Sequence, residues 1–98
     1  MSCSFLISLH YLFPLSDIDK HRPAHIAFLQ RYYDEGLFVC SGPKIPRTGG
    51  IIIARCSDKD ALQSVIENDP FFIHGLAEYE VIEFSPTMAS SELSIFLK

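Results

Sequence analysis

Basic residues are scarce and scattered in this sequence. The 98-residue chain carries 8 Lys and Arg against 12 Asp and Glu, giving a formal net charge of −4 and a pI near 5.4. A nucleic-acid partner needs a dense basic face to neutralise its phosphates, so this composition excludes one. Cysteine supplies no framework either. Cys3, Cys40 and Cys56 form no CxxC and, being odd in number, cannot all pair within one chain. Such a set points to free thiols in a reducing compartment, and a cytoplasmic location is expected. No apolar run approaches the roughly 20 residues of a membrane span, so no membrane association is expected. The stretch "SCSFLISLHYLFPLS" is apolar enough to suggest a secretory leader. It lacks a basic start and carries His10 near its middle, and it is therefore assigned to the folded domain.

Two further signals are missing. The short glycine turns "SGP" and "TGG" have neither the spacing nor the strand–helix context of a phosphate loop. His21 and His25 stand i, i+4 apart, but Pro23 between them argues against a helical His21, and no third ligand is at hand. His10 and His74 would join such a site only through tertiary folding. No metal and no cofactor is expected.

What is present belongs to an ordinary folded domain. Hydrophobic residues make up 48% and charged residues 20% of the chain, which excludes disorder of the main body. A chain this short fits one compact domain and buries a modest share of its surface, so self-association is an expected source of stability. Phe5, Ile7, Leu9, Tyr11 and Phe13 alternate with a mixed set, Ser4, Leu6, Ser8, His10 and Leu12. That period of two predicts a strand with one buried face and one semi-polar face, ended by Pro14. "LSDIDKH" is expected to connect it to a first helix starting at Pro23, with Arg22 extended before the proline and Gly36 as the helix stop.

"LFVCS" predicts a short strand in which Cys40 is a small core residue, and "GPKIPRTGG" a turn. "IIIARC" is apolar on both faces and reads as a central strand. "SDKD" opens a second helix at Ser57 whose apolar face holds Ala61, Leu62, Val65 and Ile66. Pro70 stops it after Asp69, and "AEYEVIEF" is the last strand. The order β-α-β-β-α-β is the ferredoxin-like α+β arrangement, a four-stranded antiparallel sheet with two helices on one face. Residues 1–86 form the domain. The Ser-rich and then apolar tail 87–98 either frays or packs on a neighbouring subunit. The sheet face without helices is partly apolar through residues such as Leu6 and Leu12, and a second copy of the chain is expected to cover it.

Two residues sit oddly in this scheme. At about 100° per position, His25 falls in the middle of the arc that holds Phe28, Leu29, Tyr32, Tyr33 and Ile26. It is either a boundary histidine satisfied by a carbonyl or an acid/base group at the helix–sheet edge. Asp69 follows the C-terminal end of the second helix, where the macrodipole disfavours an anion, and Pro70 holds it extended. An "NDP" turn, with the side chain bonding nearby amides, accounts for it equally well. A carboxylate beside His25 would orient the ring and stabilise its charged form.

Four features occur together here: R-x-x-H from Arg22 to His25, a short strand ending in Gly42-Pro43, the apolar strand, and Asp69-Pro70 before the last strand. In this combination "HRPAHIAFLQRYYDEGLFVCSGPKIPRTGGIIIA" and "ENDPFFIHGLAEYEVIEF" resemble the YciI-like (YCII-related) proteins over residues 5–86. The resemblance implies a ferredoxin-like domain that forms a homodimer through its sheets, as in the dimeric α+β barrels. It also implies an active site centred on a His and an Asp, and the matching positions are His25 in "RPAH" and Asp69 in "DPF". The loop "KIPRTGG" is shorter than in the founding members and closer to a subgroup with "GPKxPRTGG". Because loops beside a pocket change its ligand, no substrate is carried over.

Two functions follow as expectations. In a small-molecule enzyme of proton-transfer, elimination or isomerisation type, His25 is the general acid/base and Asp69 fixes its tautomer and balances its charge. Phe28, Tyr32 and Phe71 shape the pocket, Arg22 and Arg47 meet an anionic group, and Ser41, Gly42 and Pro43 form a wall of close backbone approach. In a non-catalytic homodimeric binding module, the same pocket holds a metabolite and His25 is a ligand contact. A purely structural pair, tying the first helix to the end of the second, is the third reading.

Overall fold

A computed structural model describes residues 3–97. The elements run β1 (Cys3–Tyr11), α1 (Leu15–Asp34), β2 (Phe38–Pro43), β3 (Gly49–Cys56), α2 (Lys59–Ile66), α3 (Pro70–Ile73), β4 (Ala77–Phe84) and a closing 3-10 segment (Ser91–Leu97). The four strands form one antiparallel sheet in the order β2-β3-β1-β4. This is the ferredoxin-like α+β fold. The apolar strand "IIIARC" lies inside the sheet, between β2 and β1.

The core lies between the sheet and the helices. Phe5, Ile7 and Leu9 of β1 and Ile52 and Ala54 of β3 meet Ile18, Phe28 and Tyr32 of α1 and Leu62, Val65 and Ile66 of α2. Each strand contributes alternate residues because side chains on a strand point to opposite faces. On the other face, Leu6 lies opposite both Ile53 and Ile82 in the ladder, forming an apolar stripe across three strands. Below it the face turns polar, with Ser8 opposite Glu80 and His10 opposite Glu78. Met88, Leu93 and Phe96 of the C-terminal segment line an apolar hollow of ≈ 340 Å³ with Val39, Ile53 and Phe84. The Arg55 guanidinium stands 5.9 Å from the centre of the Phe96 ring.

Several boundaries differ from the sequence-based expectations. Helix α1 starts eight residues before Pro23, so "LSDIDKH" and Arg22 are helical and not extended. Pro14 caps the helix through its carbonyl, which accepts from the Asp17 and Ile18 amides. Asp17 in the first turn complements the macrodipole. The early start also buries Ile18 completely, a gain of about 1.5–3 kcal/mol that offsets much of the cost of a mid-helix proline. Pro23 is exposed, so water can reach the Asp19 carbonyl that its missing amide leaves free.

The N-cap of α2 is Asp58, not Ser57, and its side chain accepts from the Ala61 amide. A third, short helix forms where a turn was expected, with Asp69 as its N-cap and Pro70 at its first position. Cys40 is exposed on β2, because a bulge between Phe38 and Cys40 turns it out of the core. At the end of α1, Gly36 has φ 77° and donates to the Tyr33 carbonyl while Leu37 donates to Tyr32. This is the Schellman closure, for which glycine is the least strained residue.

Gly49 opens β3 directly opposite His10. A Cβ at this position would come within 1.8 Å of the Leu9 carbonyl oxygen, a backbone atom that cannot swing aside. Gly49→Ala is expected to destabilise the fold by about 3 kcal/mol or more in urea unfolding, at the upper end of overpacking effects. Gly42→Ala, with no atom near the added carbon, is the matched control and should shift stability by less than about 0.5 kcal/mol.

Candidate active site

Helix α1 aims His25 at the seam between α3 and the sheet. Its Nδ1 lies 2.8 Å from Asp69 Oδ1, and its side chain is 14% exposed. Asp69 itself has no solvent contact. Its Oδ1 also accepts the Phe71 amide at 3.0 Å, and its Oδ2 accepts the Tyr79 hydroxyl at 2.5 Å. The three donors replace the water that burial removes, and no buried side-chain polar atom among the described residues lacks a partner. A carboxylate accepts only, so His25 carries its proton on Nδ1, and the neutral ring leaves Nε2 bare.

Aromatic packing fixes the imidazole plane. The rings of His25 and Phe71 stack at 4.1 Å between centroids and 12° between planes. Tyr11 meets Phe71 edge-on at 5.9 Å. Phe71 is thus held twice by the pair, through its amide on Asp69 and its ring on His25.

Tyr79 was not among the expected site residues. It alternates in phase with Ala77 and Val81, whose partners Tyr11 and Ile7 face the helices. A hydroxyl on an inward strand face needs an acceptor, and that signal was present in the sequence. Burial, and then the Asp69 carboxylate, push the Tyr79 hydroxyl well above its ordinary pKa of 10.0. It therefore remains a donor throughout the physiological range.

In front of His25 lies a cleft of ≈ 100 Å³. Its walls are Leu9 and Tyr11 of β1, Gly50, Ile51 and Ile52 of β3, and Ile26 and Leu29 of α1. Arg22, Ser41, Gly42, Pro43, Arg47 and Phe71 all line it as well, and Asp69 sits behind His25, outside the lining. Phe28 and Tyr32, expected to shape the pocket, are instead core residues behind the cleft.

Two lining residues are already engaged. The Ser41 and Tyr33 hydroxyls share a hydrogen bond of 2.5 Å. Arg47 donates to Asp19 at 2.5 Å, which clasps the 44–48 loop to α1 and holds the Asp19 carboxyl below its ordinary value of 3.8. The His21 and His74 rings lie 4.3 Å apart between centroids, tilted by 35°. No cluster of three or more metal-ligating side chains occurs among the described residues. No helix there is long and apolar enough to cross a membrane.

The sequence profile of the YCII-related domain matches residues 7–85. The chain belongs to the YCII-related domain family. Among solved structures, this YCII-related chain is similar to 5-chloro-2-hydroxyhydroquinone dehydrochlorinase, TftG, from Burkholderia phenoliruptrix AC1100, in complex with 2,5-dihydroxybenzoquinone. The two are 25% identical with a TM-score of 0.73, over 83% of this chain and 92% of that one. It also resembles SnoaB, a cofactor-independent oxygenase from Streptomyces nogalater, at 16% identity and a TM-score of 0.52, over 92% of this chain and 97% of that one. Both neighbours belong to the dimeric α+β barrel superfamily. No curated protein sequence matches the chain.

Two pH responses follow. A group whose folded pKa is raised contributes stability that is complete below its unfolded value and is lost as pH rises. Unfolding free energy should therefore begin to fall as pH passes about 10, and Tyr79→Phe should flatten that alkaline limb. At neutral pH the same substitution takes one of three donors from a buried carboxylate and should cost about 1–3 kcal/mol in urea unfolding. Asp19 behaves oppositely, because its folded pKa is depressed. Its pairing with Arg47 contributes above pH 3.8 and is lost as pH falls through the lower, folded value. The Tm of Arg47→Ala should be lower than that of the native chain at neutral pH, and the two should converge in acid.

Proposed function

We propose that the chain is a small-molecule enzyme in which His25 is the general acid/base and Asp69 its orienting carboxylate. The 2.8 Å contact between His25 Nδ1 and Asp69 Oδ1 carries this reading, because it leaves Nε2 as the free ring nitrogen of a residue that lines the cleft. In the forward step Nε2 takes a proton from the substrate, and Asp69 balances the imidazolium charge that results. The proton then passes to another substrate atom or to a departing group, which gives isomerisation or elimination. A base positioned in this way supplies a rate factor of about 10²–10⁴. The likeness to a dehydrochlorinase at 25% identity supports small-molecule chemistry of this type. The stacked Phe71 and the apolar walls suit a flat organic substrate, with Ser41, Gly42 and Pro43 along one side and Arg22 and Arg47 at the polar edge.

The same proposal includes a homodimer, with residues 1–86 as the domain and 87–98 as a tail beside its interface. The Ile53–Leu6–Ile82 stripe on the helix-free face supports a second copy seated there. Three free cysteines suit a cytoplasmic setting.

The test needs no knowledge of the natural substrate. Enolisable ketones and polyhydroxylated aromatics are incubated with the protein in D₂O, and loss of carbon-bound proton signals is followed by NMR. Native protein should catalyse exchange in at least one compound class. His25→Gln should abolish it and Asp69→Asn should slow it about 10²–10⁴-fold. Bound compounds that never exchange would leave a binding module as the correct reading, and equal exchange by His25→Gln would remove His25 as the base.

A further inference from the structure

Two arginines reach the cleft, and their surroundings differ. Arg47 is committed to Asp19, and its guanidinium also lies 6.0 Å from the centre of the Tyr11 ring. Arg22 stands on α1 three residues before His25, exposed at the cleft mouth. Among the described residues its guanidinium makes no ion pair, although its charge helps to hold the Asp19 carboxyl low. Arg22, Arg47 and Asp19 together therefore carry one net positive charge. The negative charge of Asp69 is withdrawn from the cleft behind His25 and Phe71, where three donors cap it. The surface a ligand meets is thus apolar on its walls, with one uncompensated cation at the rim and one bare ring nitrogen.

We infer that the cleft takes small organic monoanions, with a carboxylate, enolate or phenolate oxygen on Arg22 and the carbon body lying along Phe71. This rests on the acid/base reading of His25 and gives that reading its substrate class. Residues three apart on a helix have Cβ atoms about 5–6 Å apart, so Arg22 and His25 address one small ligand together. The anionic oxygen and the labile proton then lie within the span of a single ring or a short chain. Guanidinium and oxyanion form a charge-assisted pair, which the apolar walls strengthen by limiting water. A dianionic phosphate ester finds one uncompensated cation where it needs two. A neutral ligand leaves Arg22 unused.

The experiment is an NMR titration of isotope-labelled full-length protein, following the Arg22 Nε–H and the His25 ring nitrogens. The probes are benzoate, 4-nitrophenolate above its own pKa, neutral benzamide and phenyl phosphate. Benzoate or 4-nitrophenolate should shift Arg22 and bind about tenfold or more tightly than benzamide, and their ranking separates carboxylate from phenolate preference. Arg22→Ala should erase the margin over benzamide and Arg22→Lys should keep part of it, with thermal melts confirming that both variants fold. Equal binding of benzamide and the monoanions overturns the inference, as does tightest binding of phenyl phosphate, a margin that survives Arg22→Ala, or no response to either monoanion at millimolar concentration. His25 separates the two levels of the argument. Monoanions that engage Arg22 without moving the His25 nitrogens would sink the acid/base reading and leave the anion site standing. Benzamide moving His25 without Arg22 would do the reverse.

Discussion

Asp69 is an acid without solvent contact, and its need for donors organises the molecule around it. One donor comes from α1 through His25, one from the α3 backbone at Phe71, and one from β4 through Tyr79. His25 lies 44 positions from Asp69, while α3 and β4 follow it closely, and all three meet at a single carboxylate. Removing any one donor leaves a buried acceptor short of a partner, which costs more than the bond itself contributes in water. The helix layer and the sheet are therefore keyed together at this point by direction as well as by apolar contact. The orientation of His25 follows from that keying, and so does the atom it leaves free.

The carboxylate has two functions that are usually separate. As N-cap it starts α3 by accepting the Phe71 amide, which local turn chemistry alone would predict for an "NDP" segment. As partner of His25 it performs a long-range task that the turn neither requires nor excludes. Asp69 makes the turn contact and the contact to His25 together, because a single carboxylate oxygen has room for two donors. Placing α3 on Asp69 also brings the Phe71 ring over the imidazole.

Periodicity made the strands and the second helix legible. "AEYEVIEF" is β4 to the residue, and the apolar face of α2 buries Leu62, Val65 and Ile66. The start of α1 was not legible. A proline preceded by polar residues is a good helix start by local rules, and only the burial of Ile18 against the sheet, a tertiary gain, carries the helix back to Leu15. The exposure of Cys40 escaped notice because a bulge shifts strand phase without marking the composition. In the site, His25 and Asp69 stood out because each violates a local preference. Tyr79 violates none; its inward phase on β4 was readable, but that Asp69 is its acceptor shows only in the folded chain. The competition of Asp19 for Arg47 is likewise a matter of loop placement, since the two residues lie 28 positions apart.

The stack of His25 on Phe71 has a spectroscopic consequence. A proton above the face of a benzene ring experiences that ring's induced magnetic field, so the carbon-bound protons of His25 resonate upfield of those of an ordinary histidine. Anything that slides into the cleft and tilts either ring changes that displacement at once, whether or not it carries a chromophore or undergoes a reaction. The protein thus contains its own occupancy gauge, with no label attached, at the atom group where chemistry would begin.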